Sequence, residues 1–284
     1  MKRVLISGAT GFIGRYVVEE VLARGHDVIA TSSNEERAKE QPWYKRVSYI
    51  PFDINRLESD KDYYRFFQQP DLLIHLAWEG LPNYKSPFHL EHNLPLHFRF
   101  LSQLVKCGLS DITSTGTCFE YGMQEGCLSE HMPAQPTNAY AIAKNSLREQ
   151  LEVLKAETPF NLKWIRLFYM YGRGQSPNSL LSQLQTAIDR GDTVFNMSPG
   201  DQLRDYLPVE TVARYVVSIA LQEQEGIINC CSGKPIAVKD LVTDYIKKQG
   251  AAISLNLGYY PYSDLEPRNF WGDEQKLKTI LIHE

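Results

Sequence analysis

Three glycines separate a short apolar run from an amphipathic run at the start of the chain, and they constrain the fold more than any other feature. The stretch reads ISGATGFIGRYVVEE, with glycines at positions 8, 11 and 14. A strand, a glycine turn and a helix in this order bring free backbone amides and the positive end of a helix to one point. Gly8 permits the tight turn, Gly11 allows a ligand to approach closely, and Gly14 lets the helix pack on its strand. We therefore predict a pyrophosphate site here, although the GxxGxxG spacing differs from the commoner GxGxxG.

The rest of the chain alternates short, nearly all-apolar runs with helical patterns. Runs of this kind are typical of parallel strands covered on both faces, and their alternation with helices predicts an α/β fold with a Rossmann-like, doubly wound parallel sheet. The predicted strands are 3–7, 28–31, 47–51, 72–76, 112–114, 162–167 and 227–229, and the clearest predicted helices are 13–24, 94–106, 139–155, 180–190, 209–221 and 238–248.

The pattern loosens beyond residue 168 into clusters of glycine, proline and asparagine. We predict that residues 1–168 and 205–232 form a dinucleotide-binding domain. Residues 169–204 and 233–284 are predicted to form a small C-terminal substrate-binding lobe.

Composition and charge exclude several classes of function. Hydrophobic residues make up 43% of the 284 residues, and no apolar run approaches the length that spans a bilayer. A formal net charge of −4 with mixed signs predicts no nucleic-acid partner. The five cysteines lack CxxC spacing, so we predict neither a disulfide framework nor a metal site. We expect a cytoplasmic protein that acts on small molecules, because no secretory signal precedes the first strand.

The end of the second predicted strand bears on the choice of dinucleotide. An acidic side chain there normally binds the ribose hydroxyls of NAD, but this position is Ser32, followed by Ser33 and by Arg37 one helical turn later. Hydroxyls and a cation suit the 2′-phosphate of NADP(H), which a carboxylate would repel. We therefore expect NADP(H), with NAD(H) as the alternative. Ser33 and Asn34 can also cap the helix that follows.

Asp53 and Ile54 follow the third predicted strand. The carboxylate of Asp53 can accept a hydrogen bond from the adenine amino group, so both residues are included in the predicted dinucleotide site.

The motif NAYAIAK places Tyr140 and Lys144 four residues apart on a predicted helix, so both side chains project from one face. A neighbouring ammonium stabilises a phenolate, and we expect Lys144 to lower the pKa of Tyr140 toward neutrality. Tyr140 can then act as a general acid or base. Thr117, in STGTCFEYG after the fifth predicted strand, offers a hydroxyl at the carboxyl edge of the sheet, where open α/β folds bind ligands. These three residues form the predicted catalytic set.

These motifs resemble those of the extended short-chain dehydrogenases/reductases that act on nucleotide sugars as epimerases, dehydratases and reductases. GATGFIG is similar to the glycine motif of that family, YAIAK to its tyrosine and lysine pair, and HLAW at 75–78 to its cofactor contact after the fourth strand. The resemblance implies a nucleotide-sugar substrate and a homodimer formed through helices 94–106 and 139–155. It also implies contacts with the cofactor at Thr10, Phe12, Ile13, Leu76, Ala77, Trp78, Tyr140, Lys144, Leu167 and Phe168, and with the substrate at Trp78, Thr117 and, for the nucleotide diphosphate, Arg204.

Departures from the family's motifs narrow the expected reaction. Cys118 and Phe119 stand where its dehydratases carry Asp and Glu, so elimination of water lacks proton carriers. Phe119 and Gly174 stand where its double epimerases carry Cys and His. Two reactions remain open: reduction of an NDP-4-keto-6-deoxyhexose at C4, and 4-epimerisation of an NDP-sugar with tightly bound NAD. We favour the reductase because Ser32 suits NADP(H), and a dinucleotide-binding sensor without catalysis is a more remote alternative.

The favoured reaction assigns a role to each residue of the catalytic set. The nicotinamide delivers hydride to the C4 carbonyl, Thr117 polarises its oxygen, Tyr140 donates the proton, and Lys144 holds the cofactor ribose.

Overall fold

A seven-stranded parallel sheet forms the centre of the computed structural model, which describes residues 1–282. The strands of the chain are β1 (Arg3–Ser7), β2 (Asp27–Thr31), β3 (Ser48–Tyr49), β4 (Leu72–His75), β5 (Asp111–Thr117), β6 (Gly126–Leu128), β7 (Asn161–Leu167), β8 (Tyr169–Tyr171), β9 (Val194–Met197), β10 (Leu203–Arg204), β11 (Tyr206–Pro208), β12 (Gly226–Cys230), β13 (Ile236–Ala237), β14 (Ser254–Leu257) and β15 (Phe270–Gly272). The central sheet has the order β12-β7-β5-β4-β1-β2-β3. The direction of winding reverses between β1 and β4, which confirms the predicted doubly wound α/β fold.

The helices account for every clear helical pattern in the sequence and add three short elements. They are α1 (Gly14–Ala23), α2 (Glu35–Lys39), α3 (Tyr63–Phe66), α4 (Leu94–Lys106), α5 (Ala139–Glu157), α6 (Leu180–Asp189), α7 (Val209–Leu221), α8 (Val238–Gln249) and α9 (Gln275–Ile282). The additional elements are α2, α3 and α9, which are too short to give a strong periodic signal.

Alternating side chains of the central strands bury two helix layers on opposite faces of the sheet. Val4 and Ile6 of β1 pack in a core with α1, α7 and α9. Leu5 points to the other face and packs in a core with α3, α4 and α5. This period of two explains why the strands are apolar throughout, since each of their faces is covered.

A separate, smaller core lies within the predicted C-terminal lobe. Side chains of α6 and α8 pack there against β9 and the segment that leads into β14. Strands β9 and β14 pair with each other in a small parallel sheet. The division of the chain into two domains at the stated residues stays a prediction.

The third strand is shorter than the sequence predicts. The structure gives Ser48–Tyr49, whereas the apolar run predicts 47–51. The strand lies at the edge of the sheet, and its bonding to the neighbouring segment continues past Tyr49 only as single bonds, from the amides of Ile50 and Phe52 to the carbonyls of residues 30 and 32.

Within residues 1–282, no helix is both long enough and apolar enough to cross a membrane. The same residues contain no group of three or more His, Cys, Asp or Glu side chains placed to hold a metal ion.

Candidate active site

The glycine turn between β1 and α1 lies beside the end of β4, at the point where the winding of the sheet reverses. Gly8 has a φ of +72°, and a Cβ at this position would lie 2.8 Å from the backbone nitrogen of Ala77. A Cβ on Gly14 would lie 2.1 Å from the carbonyl oxygen of Gly8. Both positions therefore require glycine, one for its backbone conformation and one for the close packing of the helix on the turn.

Two of the polar residues after β2, Ser32 and Asn34, make hydrogen bonds within the protein. The Ser32 hydroxyl lies 3.0 Å from the Tyr49 hydroxyl, and Oδ1 of Asn34 accepts a hydrogen bond from the backbone amide of Arg37 at 2.9 Å. Asn34 is thus the N-cap of α2, as the alternative interpretation of this segment predicts. Ser33 and Arg37 are exposed.

A surface cavity of about 350 Å³ lies beside these residues, and Ser33 and Asp53 are among its lining. Asp53 is also the N-cap of a short helical turn, because its Oδ1 accepts from the Asn55 amide at 3.0 Å. The first residue of that turn is Ile54. The structure therefore brings the two ends of the predicted adenosine site to one depression at the carboxyl ends of β2 and β3.

The first turn of α5 carries Tyr140, and Lys144 follows one turn later. The side chain of Thr117, the last residue of β5, acts on the Tyr140 phenol and lowers its pKa against the effect of burial. Lys144 donates through Nζ to the Thr115 carbonyl at 2.8 Å and lies 4.0 Å from the centre of the Trp78 ring. The three predicted catalytic residues thus meet with Trp78 at the carboxyl edge of the sheet.

The pKa values of Tyr140 and Lys144 differ from those expected from the sequence. Burial raises the pKa of Tyr140 well above its ordinary value, with Tyr84 and Glu120 adding to the effect. Burial also lowers the pKa of Lys144 to about 7. The expectation that Lys144 lowers the pKa of Tyr140 is wrong for this arrangement. The reason is desolvation of both groups, together with the Lys144 contacts to Thr115 and Trp78 rather than to the phenol.

A buried ion pair between Glu120 and Arg166 holds the backbone of Thr117 in place. The Glu120 carboxylate is fully buried and accepts from the Thr117 amide at 2.9 Å and from Nε of Arg166 at 2.8 Å. It also accepts from the Trp164 indole at 3.0 Å. Because the carboxylate is enclosed by donors, it belongs to the scaffold of the site rather than to its open surface.

Two histidines hold Trp78 in place. The His97 ring stacks on the indole at 4.7 Å between ring centres, and the indole nitrogen donates to Nδ1 of His89 at 3.2 Å. His97 in turn lies 2.8 Å from the ring nitrogen of His75, at the end of β4. The predicted contact segment 76–78 is therefore anchored to the sheet, with Ala77 against Gly8 and Trp78 against Lys144.

The two predicted nicotinamide contacts after β7 differ in exposure. Leu167 is half-buried beside the core that contains α1 and α7. Phe168 is 4% exposed and packs with Tyr121 and Phe270 in a small core cluster. The structure therefore leaves the Phe168 side chain little surface for a nicotinamide ring.

Arg204 lines a cavity of about 310 Å³ in the C-terminal lobe, but its donors turn into the protein. Nη1 donates to the carbonyls of Leu203 and Arg268 at 2.8 Å each, and Nη2 donates to that of Pro267 at 2.9 Å. Nη2 also lies 3.1 Å from Glu266. The contact of Arg204 with a diphosphate stays a prediction, and in this structure residues 266–268 fold back over β10 and take up its donors.

A family model described as the NAD dependent epimerase/dehydratase family matches residues 4–231. The chain belongs to this family. A relative, dTDP-6-deoxy-L-talose 4-dehydrogenase (NAD(+)) of Aggregatibacter actinomycetemcomitans, is 31% identical over 270 residues, which are 95% of this chain and 98% of the relative.

Two solved structures show the same fold. MoeE5 in complex with UDP-glucuronic acid and NAD has a TM-score of 0.82 at 23% identity and covers 98% of this chain and 92% of its own. UDP-glucuronic acid 4-epimerase from Bacillus cereus, in complex with UDP-glucuronic acid and NAD, has a TM-score of 0.82 at 20% identity, with 99% and 93% covered.

These matches confirm the predicted family and establish that the chain is an enzyme, which sets the non-catalytic sensor aside. They do not support the predicted preference for NADP(H). Glu266 is not among the predicted site residues, because the aromatic and proline-rich segment around it gives no periodic signal.

Proposed function

We propose that this enzyme interconverts an NDP-4-keto-6-deoxyhexose and the corresponding NDP-6-deoxyhexose at C4, with NAD(H) as the redox partner. The observation that carries the proposal is the meeting of Tyr140, Thr117 and Lys144 at the carboxyl edge of the sheet, where the Tyr140 ring and the Lys144 ammonium both contact the Trp78 ring. A phenol and a hydroxyl that lie this close together can serve a single reacting oxygen. The name of the relative that is 31% identical supports a 6-deoxyhexose and dTDP as the nucleotide.

The chain's own residues handle the proton of the reacting oxygen. Burial keeps the Tyr140 phenol protonated, which suits donation to a C4 oxygen that gains negative charge during reduction. Thr117 orients that oxygen, and its own position is fixed by Glu120 through the backbone amide. Lys144, held by the Thr115 carbonyl, lies where it can bind the nicotinamide ribose. Bound NAD(H) supplies or accepts the hydride at C4.

The residues after Thr117 favour oxidation and reduction at one carbon over elimination or epimerisation at several. Cys118 is buried, and burial raises the pKa of its thiol far above neutrality. Phe119 packs between the rings of Tyr84 and Tyr169. Neither side chain can carry a proton near pH 7, so a second proton carrier is missing from this position.

NAD(H) fits the region after β2 better than NADP(H). Ser32 already shares its hydroxyl with Tyr49, which leaves it a weak partner for a 2′-phosphate. Glu35 and Glu36 occupy the first turn of α2, and their carboxylates would repel the added phosphate. The NAD(+) in the name of the relative supports the same choice.

The test is turnover by the purified protein. We expect NADH to be consumed with a dTDP-4-keto-6-deoxyhexose, and NADH to form from NAD⁺ with dTDP-6-deoxy-L-talose. NADPH should be used less well than NADH at equal concentration. Absence of net NADH change in both directions would contradict the proposal.

A second candidate is 4-epimerisation, which uses the same phenol and hydroxyl twice at one carbon. The family's description and the epimerase among the solved structures favour it. Interconversion of two C4 epimers without net change in NADH would establish this reaction instead.

The predicted homodimer is part of the proposal. Helix α5 exposes Ile142 and Val153, the latter by 66%, and both can pack against a second copy. Light scattering on the purified protein should give twice the mass of the chain, and a monomer would contradict this.

A further inference from the structure

A second arginine–glutamate pair lies in the wall of the lobe cavity. Among the described residues that line this cavity, Arg204 and Glu266 carry charge. The Glu266 carboxylate lies 3.1 Å from Nη2 of Arg204 and accepts a hydrogen bond from the Tyr169 hydroxyl. Its side chain is still 18% exposed, toward the cavity.

Arg204 acts as the support of this pair. Its two terminal nitrogens donate to three backbone carbonyls in addition to Glu266, and its guanidinium lies over the Phe270 ring at 4.5 Å. An arginine so enclosed cannot turn to a ligand without leaving carbonyls unpaired. Glu266 is therefore the member of the pair that is available to a bound molecule.

The hydrogen-bonding capacity of Glu266 is only partly used. One oxygen faces Arg204 and the other accepts from Tyr169, while an ionised carboxylate has about four acceptor positions in total. The remaining acceptors need donors. A diphosphate offers none and would be repelled, whereas the hydroxyls of a hexose ring are neutral donors of the right kind.

A continuous row of rings joins Glu266 to the reacting group. Tyr140 contacts Tyr84, Tyr84 contacts Phe119, and Phe119 contacts Tyr169, with ring centres 5.1 to 6.4 Å apart. Tyr169 then donates to Glu266. Glu266 is also close enough to Tyr84 and Cys118 to raise the pKa of each, so a ligand that extends from Tyr140 along these rings reaches its carboxylate.

We propose that Glu266 is a specificity-determining residue that accepts a hydrogen bond from a ring hydroxyl of the hexose. This inference rests on the proposed function, because it takes an NDP-hexose to be the ligand. The same carboxylate would disfavour sugars that carry their own carboxylate at that point.

Protonation of Glu266 should weaken the sugar contact. Burial raises the pKa of this carboxyl to about 7. The ionisable groups that face it from neighbouring elements are Tyr169, Arg204, Tyr84 and Cys118. Burial raises the pKa of both Tyr84 and Cys118, so Glu266 is the group expected to titrate near neutrality.

The experiment compares sugar and nucleotide binding by calorimetry on the full chain. The probes are dTDP-6-deoxy-L-talose and dTDP, and the variants are Glu266→Gln and the control Asp264→Asn. Asp264 lies two residues away, is exposed, and pairs with Lys85 at the surface. We expect Glu266→Gln to weaken the sugar nucleotide about tenfold and dTDP by less than about twofold, while Asp264→Asn changes neither.

Two further measurements sharpen the test. In the wild type, the dissociation constant of the sugar nucleotide should fall from about pH 6 to about pH 8, and Glu266→Gln should remove this trend. Tyr169→Phe keeps the carboxylate and should cost less than Glu266→Gln. Equal weakening of dTDP and of the sugar nucleotide, or no weakening of either, would overturn the inference. If the wild type shows no change in NADH with the sugar nucleotide in either direction, the proposed function itself is overturned, whatever Glu266→Gln does to binding.

Discussion

Among residues 1–282, two lysines are buried, one toward each end of the central sheet, and their surroundings are opposite. Lys163 of β7 lies near the amino-terminal end, where its Nζ is 2.8 Å from both carboxylate oxygens of Asp111. Lys144 of α5 lies near the carboxyl end and has a backbone carbonyl and an indole face instead. Both are at most 1% exposed.

The difference suggests how a buried lysine with a structural role can be told from one with a functional role. Burial lowers the pKa of both lysines, but Asp111 opposes the effect at Lys163, whereas the opposing charge at Lys144 is Glu120, which hydrogen-bonds to other groups. A buried charge with its own partner can be part of the scaffold alone, whereas a buried ionisable group without one is a candidate for contact with a ligand. The two ends of the sheet should therefore respond differently to substitution.

The largest effect is expected at the carboxyl end, in turnover. Tyr140→Phe removes the proton donor but keeps the ring contacts with Trp78 and Tyr84. We expect kcat to fall by about 10²–10⁴-fold with little change in the free energy of unfolding. Steady-state kinetics and urea denaturation on the same preparation measure both. A variant as active as the wild type would remove Tyr140 from the proposed mechanism.

The next largest effect is expected at the amino-terminal end, in stability. Asp111→Asn leaves the Lys163 ammonium buried without its carboxylate, which should lower the free energy of unfolding by about 3–5 kcal/mol. At a temperature where the variant is folded, its KM and kcat should match those of the wild type. Loss of turnover without loss of stability would show that the amino-terminal pair is not merely scaffold.

The sequence predicted the parts of this comparison that depend on local spacing. Tyr140 and Lys144 are one helical turn apart, and the turn containing Gly8 follows a strand, so their meeting at one sheet edge follows from the parallel topology. The conformation of Asn34 as a helix cap is equally local.

The features of the site that the sequence did not predict depend on contacts between distant segments. The pKa of Tyr140 is set by burial and by side chains from two other segments of the chain, around Tyr84 and around Glu120, and no spacing in α5 reports this. The partners of Arg204 come from residues 266–268, which lie in an irregular segment more than sixty positions away. Such a segment has no hydrophobic period from which its path could be predicted.

An effect of similar total size, but spread over several pH units, is expected from Lys144→Met. The pKa of Lys144 is about 7 in the folded protein and about 10.4 in an unfolded chain, so the unfolded state binds more protons between these values. The free energy of unfolding of the wild type should therefore rise with pH relative to the variant, by up to about 1.4 kcal/mol per pH unit. Urea denaturation of both proteins from about pH 7 to about pH 10 measures this difference. A difference that does not change with pH would show that Lys144 is not buried as a neutral amine.

The smallest effect is expected when both members of the amino-terminal pair are replaced together. Asp111→Leu combined with Lys163→Met removes the buried charges as a unit, and replacements of this kind are often neutral in stability. We expect the free energy of unfolding to change by less than about 1 kcal/mol, because the lost bond from Lys163 to the Ala220 carbonyl, 3.3 Å long, is offset by relief of desolvation. Equilibrium denaturation of the double variant beside Asp111→Asn gives the comparison directly.

Near-equal losses of unfolding free energy in the two variants would mean that the ion pair stabilises the fold beyond the cost of burying it. The amino-terminal end could then no longer be treated as a replaceable scaffold. A double variant that is stable and fully active would instead leave Lys144, at the other end, as the buried lysine that the fold keeps for chemistry.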